Sequence, residues 1–140
     1  MKNDLFVIDT NTLISAFLFR YSNPRKAFEW VVKTGTVCSS LETYNEFSEV
    51  LLRPKFDKYI SLEERLLALK DFKQLALFSE IPETITACRD TKDNKFLELA
   101  VATNAACIIT GDKDLLELHP FRGIPILSAA DFLNIVRKTI

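Results

Sequence analysis

The sequence predicts an α/β fold, a three-layer α/β/α domain around a central, mostly parallel five-stranded sheet. Three observations carry this. Short uninterrupted apolar runs, Leu5-Phe-Val-Ile8 and Ala106-Cys-Ile-Ile109, are too brief for helices and suit strands buried on both faces of a parallel sheet. Between such runs, apolar residues recur at the three- and four-residue spacing of a helix. The two patterns alternate along the chain, as a parallel sheet with helical crossovers requires. Crossovers between parallel strands are nearly always right-handed, which leaves few topologies.

Taken in order, residues 5–8 form the first strand and residues 12–19 a helix. Asn23-Pro24 reads as a helix start, with Asn23 as cap and Pro24 at the first position, followed by Ala27, Trp30 and Val31 at helical spacing. Thr36-Val37-Cys38 is the second strand. Ser40 caps a helix carrying Leu41, Tyr44, Phe47, Val50 and Leu51. Ser61 opens another, with Glu64 three residues on as a capping box and Leu62, Leu66, Leu69 and Phe72 along it. Residues 75–78 read as the third strand. Asp90 or Thr91 caps a helix over residues 93–105, with Phe96, Leu97, Ala100 and Val101 on one face. Residues 106–109 and Pro125-Ile126-Leu127 are the last two strands, and residues 129–136 a closing helix. No repeat, low-complexity tract or linker divides the 140 residues, so they read as one domain, residues 1–140.

Composition narrows the class. Nearly half the residues are apolar and about a quarter charged, as in ordinary globular proteins. A net charge of −1 lacks the basic excess of a purely electrostatic nucleic-acid binder, although an acidic cluster can mask a basic surface in the total. Cys38, Cys88 and Cys107 are odd in number and none sits in a C-x-x-C pair, which argues against a disulfide or zinc framework and for the cytoplasm. No apolar run approaches the length of a membrane span, and the N-terminal run is broken by Asp9, unlike a signal peptide; no membrane partner is expected.

The acids then take positions on this frame. In open parallel sheets, ligands bind outside the carboxyl ends of the strands. Asp9 follows the first strand and Asp112 the fourth, so both carboxylates emerge at one edge. Glu46 lies in the first half of the helix after the second strand, beside the stripe of Tyr44, Phe47 and Val50. Asp93 begins the helix that leads to the fourth strand, where either edge is open to it. Asp114 is a reserve. Several carboxylates at one place repel and raise each other's pKa values. A hard divalent cation such as Mg²⁺ or Mn²⁺ resolves that conflict, whereas one histidine and unpaired cysteines suit zinc poorly. Singly, each acid has a plainer explanation: Asp9 or Asp112 as a helix N-cap, Glu46 as a solvated helix residue, Asp93 as a first-turn acid that suits the helix dipole. Only the joint pattern favours a metal site.

"VIDTNTLISAF", "ETYNEFSEVL", "RDTKDNKFLELA" and "CIITGDKDLL" stand in this order over almost the whole chain. Together they resemble the four motifs of PIN (PilT N-terminus) domains, above all the small single-domain, VapC-like toxin group. The resemblance implies an Mg²⁺- or Mn²⁺-dependent ribonuclease holding one or two ions. It sets the four acids on Asp9, Glu46, Asp93 and Asp112, with Asp90 a rival for the third and Asp114 for the fourth. Asn11 falls on the hydrogen-bonding companion of the first acid, and Thr110 on the small hydroxyl residue before the fourth. It further implies RNA as substrate, a small antitoxin protein as partner, and a homodimer.

RNA also requires cations and stacking surfaces. "RPKFDKY" offers Arg53, Lys55 and Lys58 beside Phe56 and Tyr59, and Arg20 and Arg25 form a second group; each is equally an ordinary solvated charge. His119, alone before Pro120, reads as a turn residue. Two other functions stay open on the residues. A haloacid-dehalogenase-like phosphatase shares the strand-then-Asp start and a "GDKD"-like motif, but needs a second acid where Asn11 stands. A non-catalytic module would bind RNA or a protein without cleaving.

Overall fold

The computed structural model describes residues 4–138. β1 (Leu5–Ile8) is the central strand, flanked by β2 (Thr36–Ser39) and β4 (Cys107–Ile109), with β3 (Leu77–Phe78) and β5 (Ile126–Leu127) at the edges. Every pairing is parallel, so the sheet expected to be mostly parallel is wholly so. Phe6 stands opposite Val37 on one side and Cys107 on the other, and Ile8 opposite Ile109.

The two-residue alternation of the strands builds two separate cores. Phe6, Ile8, Val37, Cys107 and Ile109 face one way. They pack against α1 (Thr10–Leu18), α2 (Asn23–Thr34), α3 (Leu41–Leu51), α4 (Leu62–Leu75) and α7 (Ala129–Lys138). Phe6 anchors this side through edge-on contacts with Trp30 and Phe132, with ring centroids 5.9 and 5.7 Å away. Val7, Cys38, Ile108 and Ile126 face the other way, against α5 (Asn94–Thr103) and α6 (Lys113–Leu116). Three layers follow directly. Gly35, between α2 and β2, is required by close approach: a Cβ there would lie 2.7 Å from Asp4 O and 2.8 Å from the Phe6 ring.

Helix ends show where local chemistry overrides periodicity. α1 begins two residues earlier than its pattern predicts, because Asp9 caps it straight off the strand, its Oδ1 accepting from Thr12 N at 3.0 Å. The cap of α2 is Ser22, whose Oγ accepts from Arg25 N at 3.2 Å, so Asn23 is already helical. Ser40 and Thr43 form a reciprocal capping box on α3, and Ser61 caps α4 by accepting from Glu64 N at 3.1 Å. α4 runs through Leu75, which shortens the third strand to Leu77–Phe78. Asp90 caps a single 3₁₀ turn, Thr91–Asp93, that precedes α5. The four-residue α6, too short for a period to show, is additional.

A second 3₁₀ turn, Pro54–Phe56, follows α3 and is pinned by Arg65. This arginine is 0% exposed; it donates to Leu51 O at 3.0 Å and Arg53 O at 3.1 Å and pairs with Asp57. His119 Nδ1 accepts from Ile126 N at 2.8 Å and so ties the turn before β5. Among the described residues, no helix is long and apolar enough to cross a membrane.

Candidate active site

β1 and β4 are parallel neighbours, so their carboxyl ends open at one edge. Asp9 N continues the ladder to Ile109 O at 3.1 Å, and its side chain turns into that edge, only 4% exposed. Thr110, fully buried just beyond β4, donates its hydroxyl to Asp9 Oδ2 at 2.5 Å and accepts from Asp112 N at 2.9 Å. One hydroxyl thus joins two acids from opposite ends of the chain. Burial pushes the Asp9 carboxyl above its ordinary value; the hydrogen bonds from Thr110 and Thr12 oppose that shift, and the nearby Asp112 charge adds to it. Asn11, expected as the companion of Asp9, is instead exposed on the rim; the donors to Asp9 are Thr12 N and Thr110.

Asp93 joins Asp9 and Asp112 at the same edge. The topology explains why: α5 is the crossover between β3 and β4, so it runs back against the strands and starts at their carboxyl ends. The Asp93 carboxyl is pushed up to about 7, first by burial, then by the hydrogen bond and charge of Asp112, then by Asp90 and Asp9. Oxygens of Asp90, Asp93 and Asp112 lie within 4.8 Å of one another. Asp93 Oδ2 is buried with no hydrogen-bond partner. Asp112 also caps α6, accepting from Asp114 N at 2.8 Å, while Asp114 faces Arg89 at 3.8 Å.

Glu46 reaches the cluster from the middle of α3. Its Oε1 accepts from the Thr10 hydroxyl, and its Oε2 lies 2.9 Å from Lys95 Nζ. Asp9, Glu46, Asp90, Asp93 and Asp112 all border one cavity of about 280 Å³, together with Arg53 and Lys92. The four expected acids are therefore brought together with Asp90, the rival for the third position, whereas Asp114, the rival for the fourth, does not line this cavity.

The basic residues divide. Arg53 borders the acids and pairs with Glu49 at 3.8 Å. Lys55 and Lys58 lie over the rings of Phe56 and Tyr59, at 5.1 and 5.3 Å. Arg20 and Arg25 line a different cavity, of about 410 Å³, where Arg25 pairs with Glu29 at 3.1 Å. Lys92 and Lys95 escaped the sequence reading. The signal for Lys95 was available: it lies four residues before Leu99, on the inward face of α5.

The donor set is all oxygen, with one buried carboxylate oxygen left unpartnered, which fits a hard divalent ion. The PIN domain family model matches residues 6–114. Over 115 residues the chain is 36% identical to the uncharacterized protein MJ1680 of Methanocaldococcus jannaschii, covering 81% of this chain and 74% of that protein. The chain belongs to the PIN domain family, whose members are nucleases. Its fold is similar to that of a chain in the crystal structure of VapBC2 from Rickettsia felis bound to a DNA fragment from their promoter. That match has a TM-score of 0.58 at 14% identity, covering 87% of this chain and 96% of the other. A chain of VapBC-1 from nontypeable Haemophilus influenzae matches with a TM-score of 0.58 at 16% identity, covering 90% and 98%.

Proposed function

We propose that this protein is an Mg²⁺- or Mn²⁺-dependent ribonuclease, and that it acts as the toxin of a toxin–antitoxin pair. The observation that carries the metal is Asp93 Oδ2, a buried, unpartnered carboxylate oxygen amid two further aspartates. Asp93 and Asp112 would hold the ion, with Asp90 at hand and Asp9 and Glu46 completing the acidic wall. A bound divalent ion supplies charge stabilisation at the phosphate and a water activated for attack.

The chain's own groups do the rest. Thr110 fixes Asp9 and sets the backbone at Asp112, which keeps both carboxylates in place. Arg53 and Lys92, on the rim, attract the phosphate backbone to an otherwise acidic cavity. Water, rather than the ribose 2′-hydroxyl, is the nucleophile in this reading, so the products carry a 5′-phosphate and a 3′-hydroxyl. The antitoxin partner is supported by the fold shared with chains of two VapBC toxin–antitoxin complexes. The phosphatase alternative lacks its second acid, since Asn11 stands there.

The test is a cleavage assay with Mg²⁺ or Mn²⁺ on single-stranded, transfer and ribosomal RNAs, with excess chelator as control. Cleavage should require the ion and vanish in Asp9→Asn with the fold intact. Undiminished cleavage in chelator or in that variant would refute the reading, as would metal-independent RNA binding with no cleavage.

A further inference from the structure

A buried lysine stands against the acids, and the chemistry above gives it no part. Lys95, on the first turn of α5, is 8% exposed. Its Nζ lies 2.9 Å from Glu46 Oε2 and donates to Lys92 O. The other oxygen of Glu46 accepts from the Thr10 hydroxyl. Both oxygens of this carboxylate are therefore already engaged by donors of the chain itself, whereas Asp93 keeps a buried oxygen with no partner. The acids form two sets. Asp90, Asp93 and Asp112 converge within 4.8 Å and present the unsatisfied oxygen; Glu46 stands with its own counter-ion.

Charge points the same way. Five carboxylates border the cavity, with Arg53 and Lys92 on its wall and Lys95 behind Glu46. With Arg53 also paired to Glu49, one divalent ion offsets most of the negative charge that remains. An ammonium this deep is costly unless paired, so Lys95 is held to Glu46 by its own burial.

Building on the metal-dependent reading above, we infer that Lys95 is a positioning residue that takes the place of a second cation. It keeps Glu46 off the ion, so the chain binds one divalent ion, on Asp90, Asp93 and Asp112, and not two. Counting Mn²⁺ on the chelator-stripped protein, by paramagnetic resonance of the free ion, tests this without reference to cleavage. The wild type should bind one Mn²⁺ per chain, and so should Glu46→Gln and Lys95→Arg. Lys95→Met, which keeps the length of the buried stem and removes the charge, should bind a second ion, and adding Glu46→Gln to it should return the count to one. Two ions on the wild type, a single ion on folded Lys95→Met, or loss of the ion in Glu46→Gln would each overturn the inference; the last needs no Lys95 variant to fold. No Mn²⁺ on the wild type would overturn the metal reading as well. One ion with the expected variant counts, but no RNA cleavage, would uphold Lys95 and remove only the ribonuclease.

Discussion

Replacing Asp93 by Asn should make the ion-free protein more stable at pH 8, although it removes the group best placed to hold the ion. Burial and the neighbouring Asp112 push the Asp93 carboxyl from 3.8 to about 7. A raised carboxyl means that the folded chain keeps a proton the unfolded chain has released, so stability falls as pH rises from about 4 through about 7. Taken at face value, that shift corresponds to roughly 4 kcal/mol. Asp93 is only partly shielded from solvent, and after screening about 1–2 kcal/mol survives. For a chain of this size that is a rise in Tm of about 2–8 °C. Thermal unfolding in chelator at pH 5 and pH 8 measures it: Asp93→Asn should match the wild type at the lower pH more closely than at the higher. Saturating Mn²⁺ should then reverse the order, since a ligand at a hundred times its Kd contributes about 2.7 kcal/mol to the wild type alone. An Asn variant less stable than the wild type at pH 8 in chelator would refute the reasoning.

Mn²⁺ affinity should climb about tenfold per pH unit below pH 7 and level off above it, because the ion must displace the proton on Asp93; calorimetric titration across pH 5.5–8.5 reads this directly. Thr110→Val, which keeps the volume but loses the hydroxyl between Asp9 and Asp112, should lower ion affinity or turnover about 10–100-fold with an unchanged circular dichroism spectrum. Arg65→Ala should cost about 2–5 kcal/mol in urea unfolding by stranding the carbonyls of Leu51 and Arg53, while Arg65→Met, keeping the buried stem, should recover part of that.

What the sequence disclosed depended on whether one local signal ruled. "LFVI" and "CII" are apolar without a break, so their burial on both faces of a parallel sheet was legible from them, while the strand order came only from the structure. Ser40 and Ser61 are each followed by a helical stripe, and both are caps. Asn23 misled because Ser22, one residue earlier, makes the same hydrogen bond with its own side chain. Asp9 hid the start of α1 because one residue ends a strand and caps a helix, with no loop between. In the site, Asp9 and Asp112 could be set at one edge from strand direction alone. The neighbours of Asp93 could not, because they depend on which way α5 crosses back. Lys92 and Lys95 were missed for a different reason: a lysine at a helix start reads as a solvated charge, and although Lys95 shares the inward face of α5 with Leu99, only the packing of α5 against α3 sets it beside Glu46.

The bond between Thr110 and Asp9 spans 101 positions of the chain. Its consequence lies in the order of synthesis. A chain still being made carries Asp9 from the outset, yet until Thr110 and Asp112 have been added that carboxylate lacks its hydroxyl donor, and β1 lacks its neighbour β4. Domains are made from the N-terminus at a pace of seconds per few tens of residues, so more than 101 positions must be translated after Asp9 before the acidic cavity can close. The acidic cavity is therefore completed late, and a product of the message that stops short of Thr110 and Asp112 lacks two of the residues that form it.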